Sequence, residues 1–486
     1  MKSILFALKH RVAAAFTMLL TATTFSGCAF HGEPAKLTMP LPATWNEQGA
    51  AAPQPTPEWW NDFASTQLAE LIAIALAESP DINIASERVR QAEAALRNTG
   101  SSLFPFVDLG ASSGRRRTTP DDGGSTTSDS SNLSLGVSYE VDLWGRISAG
   151  KRAARASLDG SRYDRETVRL TLTSGVANAY FQVLATRARL QVARSNLEVA
   201  ERLLRIVDVR YRNGAASALD VSRQTTTVLT QRAAVPPLEV QERQTVSALA
   251  ILLGRPPEGF AVAGEAIDRL VVPDIGVGLP SELLTRRPDL AVVEAQLLAA
   301  DANLDAARAA LLPSLQLSGS GGLSTSDLFS LSAATRSLSL GTSVAQTIFD
   351  GGRLRSQVDT SESQRRELLE NYRASILNAL KEVEDALSNA QRYRDQETAQ
   401  AAIRDESQRS LRLAELRLRE GADELSTVLE AQRTLYSAQD QLVQLRLSRL
   451  STGVDIVKAA GGGWQRADAG ANTEVVGPPI INGVVQ

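Results

Sequence analysis

Side chains able to do chemistry are few in this chain of 486 residues. It has one cysteine, Cys28, and two histidines, His10 and His31. One cysteine closes no disulfide within the chain. No zinc-ligand spacing, phosphate loop, nucleophile elbow or dinucleotide fingerprint occurs. The 55 Asp and Glu and 51 Lys and Arg are spaced as ordinary charged helix faces. No catalysis, cofactor or metal is therefore expected. What remains are charges beside two glycines. Asp220 lies shortly after Gly214, and Asp423 and Glu424 follow Gly421. Acids repeated around a pore attract cations and can select or gate. Read locally instead, Ser217-x-x-Asp220 is a capping box, Asp423 a helix N-cap and Glu424 a solvated charge. Arg417 and Arg419 either pair with such acids across subunits or are surface charges of a helix. Arg115-Arg116-Arg117 falls in a polar stretch, 114–131, that reads as a hairpin loop. There it meets solvent or anionic lipopolysaccharide.

Cys28 gains meaning from its position. Lys2, Lys9 and Arg11 precede a short apolar run, 12–20, too short to span a bilayer as a mature helix. Residues 1–27 thus read as a secretory signal. The run ends at Phe25-Ser26-Gly27-Cys28, which resembles a bacterial lipobox, although Phe25 departs from the usual leucine. Cleavage there would leave Cys28 as a lipidated first residue, and Ala29 after it favours sorting to the outer membrane; the alternative is a stray thiol. Removing the three leader cations takes the formal charge from −4 to −4 − 3 = −7. No basic footprint for nucleic acid exists. No later stretch is apolar for eighteen residues, so a membrane crossing would have to be a closed β-barrel.

Residues 28–64, rich in Pro and Ala, read as a lipid-anchored tether. Helical periodicity begins near Ser65, with Leu68, Leu71, Ile72 and Leu76 on one face, and is broken and restarted at Ser79-Pro80-Asp81 (65–102). The period then changes to two (103–144). Val107, Leu109 and Ala111 alternate with Asp108, Gly110 and Ser112. On the return strand Leu133, Leu135, Val137, Tyr139, Val141 and Leu143 alternate with Ser134, Gly136, Ser138, Glu140 and Asp142. One apolar and one polar face over such a length fits a transmembrane strand, or else a soluble hairpin. A proline-free helix then runs over 148–213. Val176, Val183, Leu190, Leu197, Leu204 and Tyr211 recur every seven residues, with small or apolar residues three further on. That period imposes a left-handed supercoil, and at 1.5 Å per residue the helix is roughly 100 Å long. The helix stops at Gly214 and a partner returns to about residue 253, with Pro236-Pro237 expected to kink or break it.

The whole order then repeats. Pro80-Asp81-Ile82 matches Pro288-Asp289-Leu290, a shift of 288 − 80 = 208, and Gly421 answers Gly214 at 421 − 214 = 207. After an aperiodic section, 254–280, the second copy comprises helices (281–310), a hairpin (311–350), and a long helix, turn and return helix (351–460). Its return strand carries Leu338, Leu340, Val344 and Ile348, and its long helix the seam Leu369, Tyr372, Ile376, Leu380, Val383 and Leu387. Residues 461–486 read as a disordered tail.

Four strands per chain cannot close a barrel, and lipid tolerates no open edge. Several copies must share one wall; three give twelve strands, within the known range. The fold expected is mainly α with membrane β. It combines an internally duplicated long α-helical barrel with a transmembrane β-barrel completed by trimerisation, the geometry of a duct. The chain resembles the outer-membrane factors of tripartite efflux systems, the TolC/OprM-like group, and within it the NodT lipoprotein branch. The resemblance rests on Tyr139-Glu140-Val141-Asp142-Leu143-Trp144-Gly145-Arg146, Leu252-Leu253-Gly254-Arg255-Pro256, Thr285-Arg286-Arg287-Pro288-Asp289, Ile348-Phe349-Asp350-Gly351-Gly352-Arg353 and Lys458-Ala459-Ala460-Gly461-Gly462-Gly463-Trp464. It implies a homotrimer in the outer membrane and an equatorial section at 254–280. It also implies a periplasmic adaptor, an inner-membrane pump of the resistance-nodulation-division type, and a passive duct for drugs or other small toxic compounds. By position it places the gate and adaptor tip at Gly214, Asp220, Gly421, Asp423 and Glu424. Two alternatives stay open at this stage: a duct of type I protein secretion, and a structural periplasmic coiled-coil lipoprotein.

Overall fold

The computed structural model describes residues 37, 39–47, 52–121 and 123–466. The expected leader, Cys28 and most of the expected tail lie outside these. A 3-10 turn, Trp59–Phe63, precedes α1 (Thr66–Glu78) and α2 (Pro80–Ser101). The hairpin of β1 (Phe106–Thr118) and β2 (Thr126–Val141) leads into α3 (Arg146–Arg212) and α4 (Ala218–Leu252). After a one-turn α5 (Leu283–Arg286), the order recurs as α6 (Pro288–Ala309), β3 (Ser314–Thr325), β4 (Thr335–Ala345), α7 (Arg353–Arg419) and α8 (Leu425–Ala459). Copy matches copy in length: α3 and α7 have 67 residues each, α4 and α8 have 35, and α2 and α6 have 22.

Local chemistry sets the boundaries. Ser65 caps α1 by accepting the Leu68 N–H at 3.1 Å. Pro80 and Pro288 open their helices, where the missing N–H costs nothing, and Asp81 and Asp289 add charge of the favoured sign to the first turn. The long helices start on equivalent carboxylates. Asp142 accepts the N–H groups of Ile147 and Ser148 at 2.9 and 2.7 Å, and Asp350 accepts those of Gly352 and Leu354, both at 3.0 Å. Each satisfies donors that a helix start leaves open.

The residues divide into two compact units. One, formed by 90–160 and 294–371, holds a single antiparallel sheet in the order β1-β2-β3-β4. Below it Trp144 Nε1 donates to the Pro313 carbonyl at 2.7 Å, joining the two repeats. Arg152–Asp305 (3.0 Å) and Arg365–Asp301 (2.5 Å) pair helices within this unit.

The other unit, 37–89, 161–293 and 372–466, contains the main core. Trp59, Phe63, Leu68, Ile72, Tyr180, Phe181, Leu249, Leu283, Val383 and Val454 are buried there together, with the Phe63 and Phe181 rings 5.2 Å apart. Arg287 is buried among them, yet its guanidinium meets Asp289 and Glu382 at 2.7 Å each and the Ala459 carbonyl at 3.3 Å. On α3 the buried line starts on the large seam, Val176, Val183 and Leu190, and then passes to Ala193, Ala200 and Val207. The mismatch of 3.6 and 3.5 residues per turn causes such a drift along a long helix.

Four expectations need correcting. Residues 114–118 and 126–131 are strand, so the hairpin loop is short and Arg115-Arg116-Arg117 lies within β1. Leu143 and Ile348 lie beyond the ends of β2 and β4. Pro236 and Pro237 sit inside α4 without ending it, so of the kink or break expected the break does not occur. Both are exposed, as are Arg232 and Ala233, whose carbonyls lose their usual partners and are open to water. Ion pairs from α3, Arg194–Glu239 and Glu201–Arg232, both 2.8 Å, hold α4 on either side of them. Finally, the segments expected to be tether and tail are partly packed. Leu37, Met39, Trp59 and Phe63 are buried. Gly461 at φ +91° lies so close to the Arg286 carbonyl that no Cβ fits, and Trp464 packs edge-on against Tyr163 at 5.6 Å. Close backbone approach by glycine carries no periodic signal.

Candidate functional site

Two surfaces are candidates for function, one in each unit. The first is the sheet. Its register aligns like with like: Val107 faces Val137, Leu109 faces Leu135, Leu133 faces Leu323, Val141 faces Leu315, and Leu315 faces Val344. All lie on one side. Asp108, Ser134, Ser138, Gln316, Ser318, Ser320, Ser339 and Ser343 lie on the other by the same register. The apolar side is bare in the single chain, with Leu109 73%, Leu338 82%, Leu340 85% and Val344 70% exposed. From Leu133 to Val141 it measures about 26 Å along the strand, close to the height of a membrane barrel's apolar band. Beyond Leu133 the same row turns polar. Ser113 and Ser131 hydroxyls meet at 2.8 Å, and Arg115 forks onto Asp129 at 2.6 and 2.8 Å. The outer edges of β1 and β4 have no strand partner among the described residues. No described helix is long and apolar enough to cross a membrane.

The second surface is the pair of turns between long and return helices. Both are the same glycine stop. Gly214 has φ +74° and Gly421 φ +72°. Ala215 N–H reaches back to the Arg210 carbonyl at 2.8 Å, and Ala422 N–H to that of Arg417 at 2.9 Å. After the turns the two copies differ. Ser217 and Asp220 form the full capping box expected. Ser217 Oγ accepts the Asp220 N–H at 3.1 Å, and the Asp220 carboxylate accepts the Ser217 N–H at 2.9 Å. The Ser217 backbone N–H and then its hydroxyl hold the Asp220 carboxyl below its usual value. In the second copy the N-cap of α8 is Glu424, with no side-chain cap, so Asp423 is not the cap expected. Asp423 instead takes Arg417 of its own chain at 2.7 Å. Reasoning from sequence placed that arginine in a neighbouring subunit or in solvent. It also missed Arg210, which donates to the Leu418 carbonyl and ties the first turn to the second. Leu203, Val207, Leu411, Leu418, Leu425 and Val428 form a separate small core beside the turns. Among the described residues no cluster of His, Cys, Asp and Glu could hold a metal ion.

With this geometry the comparisons become interpretable. The sequence matches the family described as outer membrane efflux protein over residues 71–255 and 279–462, one stretch for each repeat. It is 41% identical to the pyoverdine export outer membrane protein OpmQ of Pseudomonas aeruginosa, over 92% of this chain and 96% of that protein. It is 31% identical to the toluene efflux pump outer membrane protein TtgC of Pseudomonas putida, over 94% of this chain and 97% of that one. Among solved structures, the outer-membrane channel OprN superposes with a TM-score of 0.82 at 27% identity, covering 90% of this chain and all of that one. CusC does so at 0.81, also at 27% identity.

The capping box makes a measurable claim. Replacing Asp220 with Ala removes one of its two reciprocal bonds, so amide hydrogen exchange at residues 216–221 should quicken about fivefold at neutral pH. Because the folded state lowers the Asp220 pKa, its stabilisation is complete above the ordinary value of 3.8 and is lost as pH falls through the lower folded value. The difference between variant and parent should therefore hold steady from about pH 5 to 8 and close below about pH 4.

Proposed function

The chain belongs to the outer membrane efflux protein family and is an outer-membrane efflux protein, and from that premise we propose that three copies close one barrel and form a passive duct. The observation that carries this reading is the four-stranded sheet with one apolar face and, among the described residues, two unpaired edges. In hydrocarbon each unpaired N–H or C=O costs several kcal/mol. β4 of one copy pairing with β1 of the next removes every edge, and three copies reach twelve strands. The serine- and glycine-rich face then lines water, which suits a conduit with little chemical selectivity. The duct performs no catalysis; cargo choice belongs to a partner pump of the resistance-nodulation-division type, joined through a periplasmic adaptor at the two turns. Val209, Tyr211 and Leu219 are exposed at the first turn and offer such a partner apolar contact. Cys28, outside the described residues, is the lipid anchor in this reading.

Cargo follows the relatives by class. OpmQ is named for pyoverdine export and TtgC for toluene efflux. Small molecules, not secreted proteins, are therefore the cargo proposed, and a siderophore is the first to test, because the relative named for one is the more similar of the two. The duct and its assembly are tested together. Detergent-purified protein should run as a trimer that heat converts to monomer, and should add discrete ion conductance to a planar bilayer. A monomer without conductance would end the proposal.

The turn at Gly421 is the proposed gate. The Arg417–Asp423 pair is exposed enough to be worth up to about 1 kcal/mol. Replacing Asp423 with Ala should therefore raise the open fraction, and with it mean conductance, by up to about fivefold. Conductance equal to the parent's would assign the pair to the turn alone.

A further inference from the structure

The sheet changes character at the end where both hairpins turn. On β1 the side that carries Leu109 and Ala111 goes on to Arg115 and Arg117. On β4 the same side carries Leu340 and Leu338 and then Arg336, which faces Leu323 in register. Arg115 is occupied by its fork onto Asp129. Arg117 gives one amino group to Ser125 Oγ at 3.2 Å and is otherwise exposed. Arg336 is exposed, with no acid at ion-pair distance among the described residues. Arg116, one residue out of phase, lies on the opposite, polar side.

The loop from β3 to β4, 326–334, folds onto the same side as Arg117. Ser131 Oγ donates to the Asp327 carbonyl at 2.7 Å, and the Phe329 N–H donates to Ser113 Oγ at 3.0 Å. By register both serines belong to the row that is apolar further along. Phe329 is held at φ +52°, a left-handed conformation that bulky residues rarely take, and it is 83% exposed. Leu331 in the same loop is exposed as well. Apolar side chains fixed beside exposed arginines match the boundary where acyl chains meet anionic headgroups. All the long helices leave the sheet at its other end. With those helices in the periplasm, as the duct requires, the turn end faces the outer leaflet.

We propose that each seam between copies binds a phosphorylated glycolipid of the outer leaflet, lipopolysaccharide, its phosphates on Arg117 of one copy and Arg336 of the next, and its acyl chains against Phe329 and Leu331. The site rests on the proposed closure of β4 on β1. That closure brings together two arginines that sit on the outermost strands of a single chain. Each guanidinium keeps free donors in a planar fork that matches phosphate. Bound lipid then fastens neighbouring copies at the rim of the barrel.

Native mass spectrometry of the delipidated full-length trimer in detergent tests it. The probes are diphosphoryl lipid A, the same lipid with its phosphates removed, and phosphatidylglycerol. Diphosphoryl lipid A should bind, and the dephosphorylated form about tenfold more weakly. Arg117→Gln combined with Arg336→Gln should weaken the diphosphoryl form about tenfold and leave the dephosphorylated form unchanged. Arg116→Gln, on the water-facing side, should bind as the parent does. Phe329→Ser should weaken both forms alike, about fivefold. Equal affinity for the two forms, a loss from Arg116→Gln as large as from the double variant, or phosphatidylglycerol bound as tightly as diphosphoryl lipid A would each overturn the site. A protein that stays monomeric removes the seam and the duct together. A conducting trimer that fails the lipid comparisons overturns this site alone.

Discussion

Backbone hydrogen bonding sets the terms for this molecule. A strand in hydrocarbon must have every N–H and C=O paired, because no water is there to replace the partner. Among the described residues the chain makes four strands and pairs β1 to β2, β2 to β3 and β3 to β4, which leaves the outer sides of β1 and β4 without a strand partner. Its apolar face is spread over all four strands and is bare. Such a sheet is unsuited to water on that face and unsuited to lipid at its edges. Several other features of the fold serve to build that sheet.

The duplication is one of these features. Two copies of helix, hairpin, long helix and return helix give two hairpins that pair through β2 and β3, so the two repeats share one sheet. The same devices recur at the same places: a carboxylate on the start of each long helix, a proline opening α2 and α6, and a left-handed glycine closing α3 and α7. Where the copies diverge, the change is local. One turn is fixed by a capping box, the other by an exposed ion pair. A capping box satisfies backbone donors and holds firmly, whereas an exposed ion pair contributes little and is screened by salt. Divergence of this kind leaves the first turn more firmly held than the second.

Charge also does structural work between the helices. Arg187–Glu242 and Arg189–Asp440, at 2.7 and 2.6 Å, tie α3 to α4 on one side and to α8 on the other. Near the core, Arg287 shows how a buried cation is tolerated, with two carboxylates and a carbonyl around one guanidinium.

Much of this architecture could be read from residue order alone, because its signals are local. Period seven over α3, period two over β2, glycine stops at 214 and 421, and a constant shift of about 208 between copies need no knowledge of distant contacts. Ser217 and Asp220 could be read as a cap because their partners are three residues apart. What only the tertiary structure decided involves partners far away in the chain or close backbone approach. The pairing of β2 with β3, the burial of Trp59 and the tight packing of the glycine run at 461–463 are all of this kind. So is the link from Arg210 to the Leu418 carbonyl. Periodicity tells a segment which face to bury but not which segment will cover it. Spatial proximity between residues hundreds of positions apart leaves no mark in local spacing.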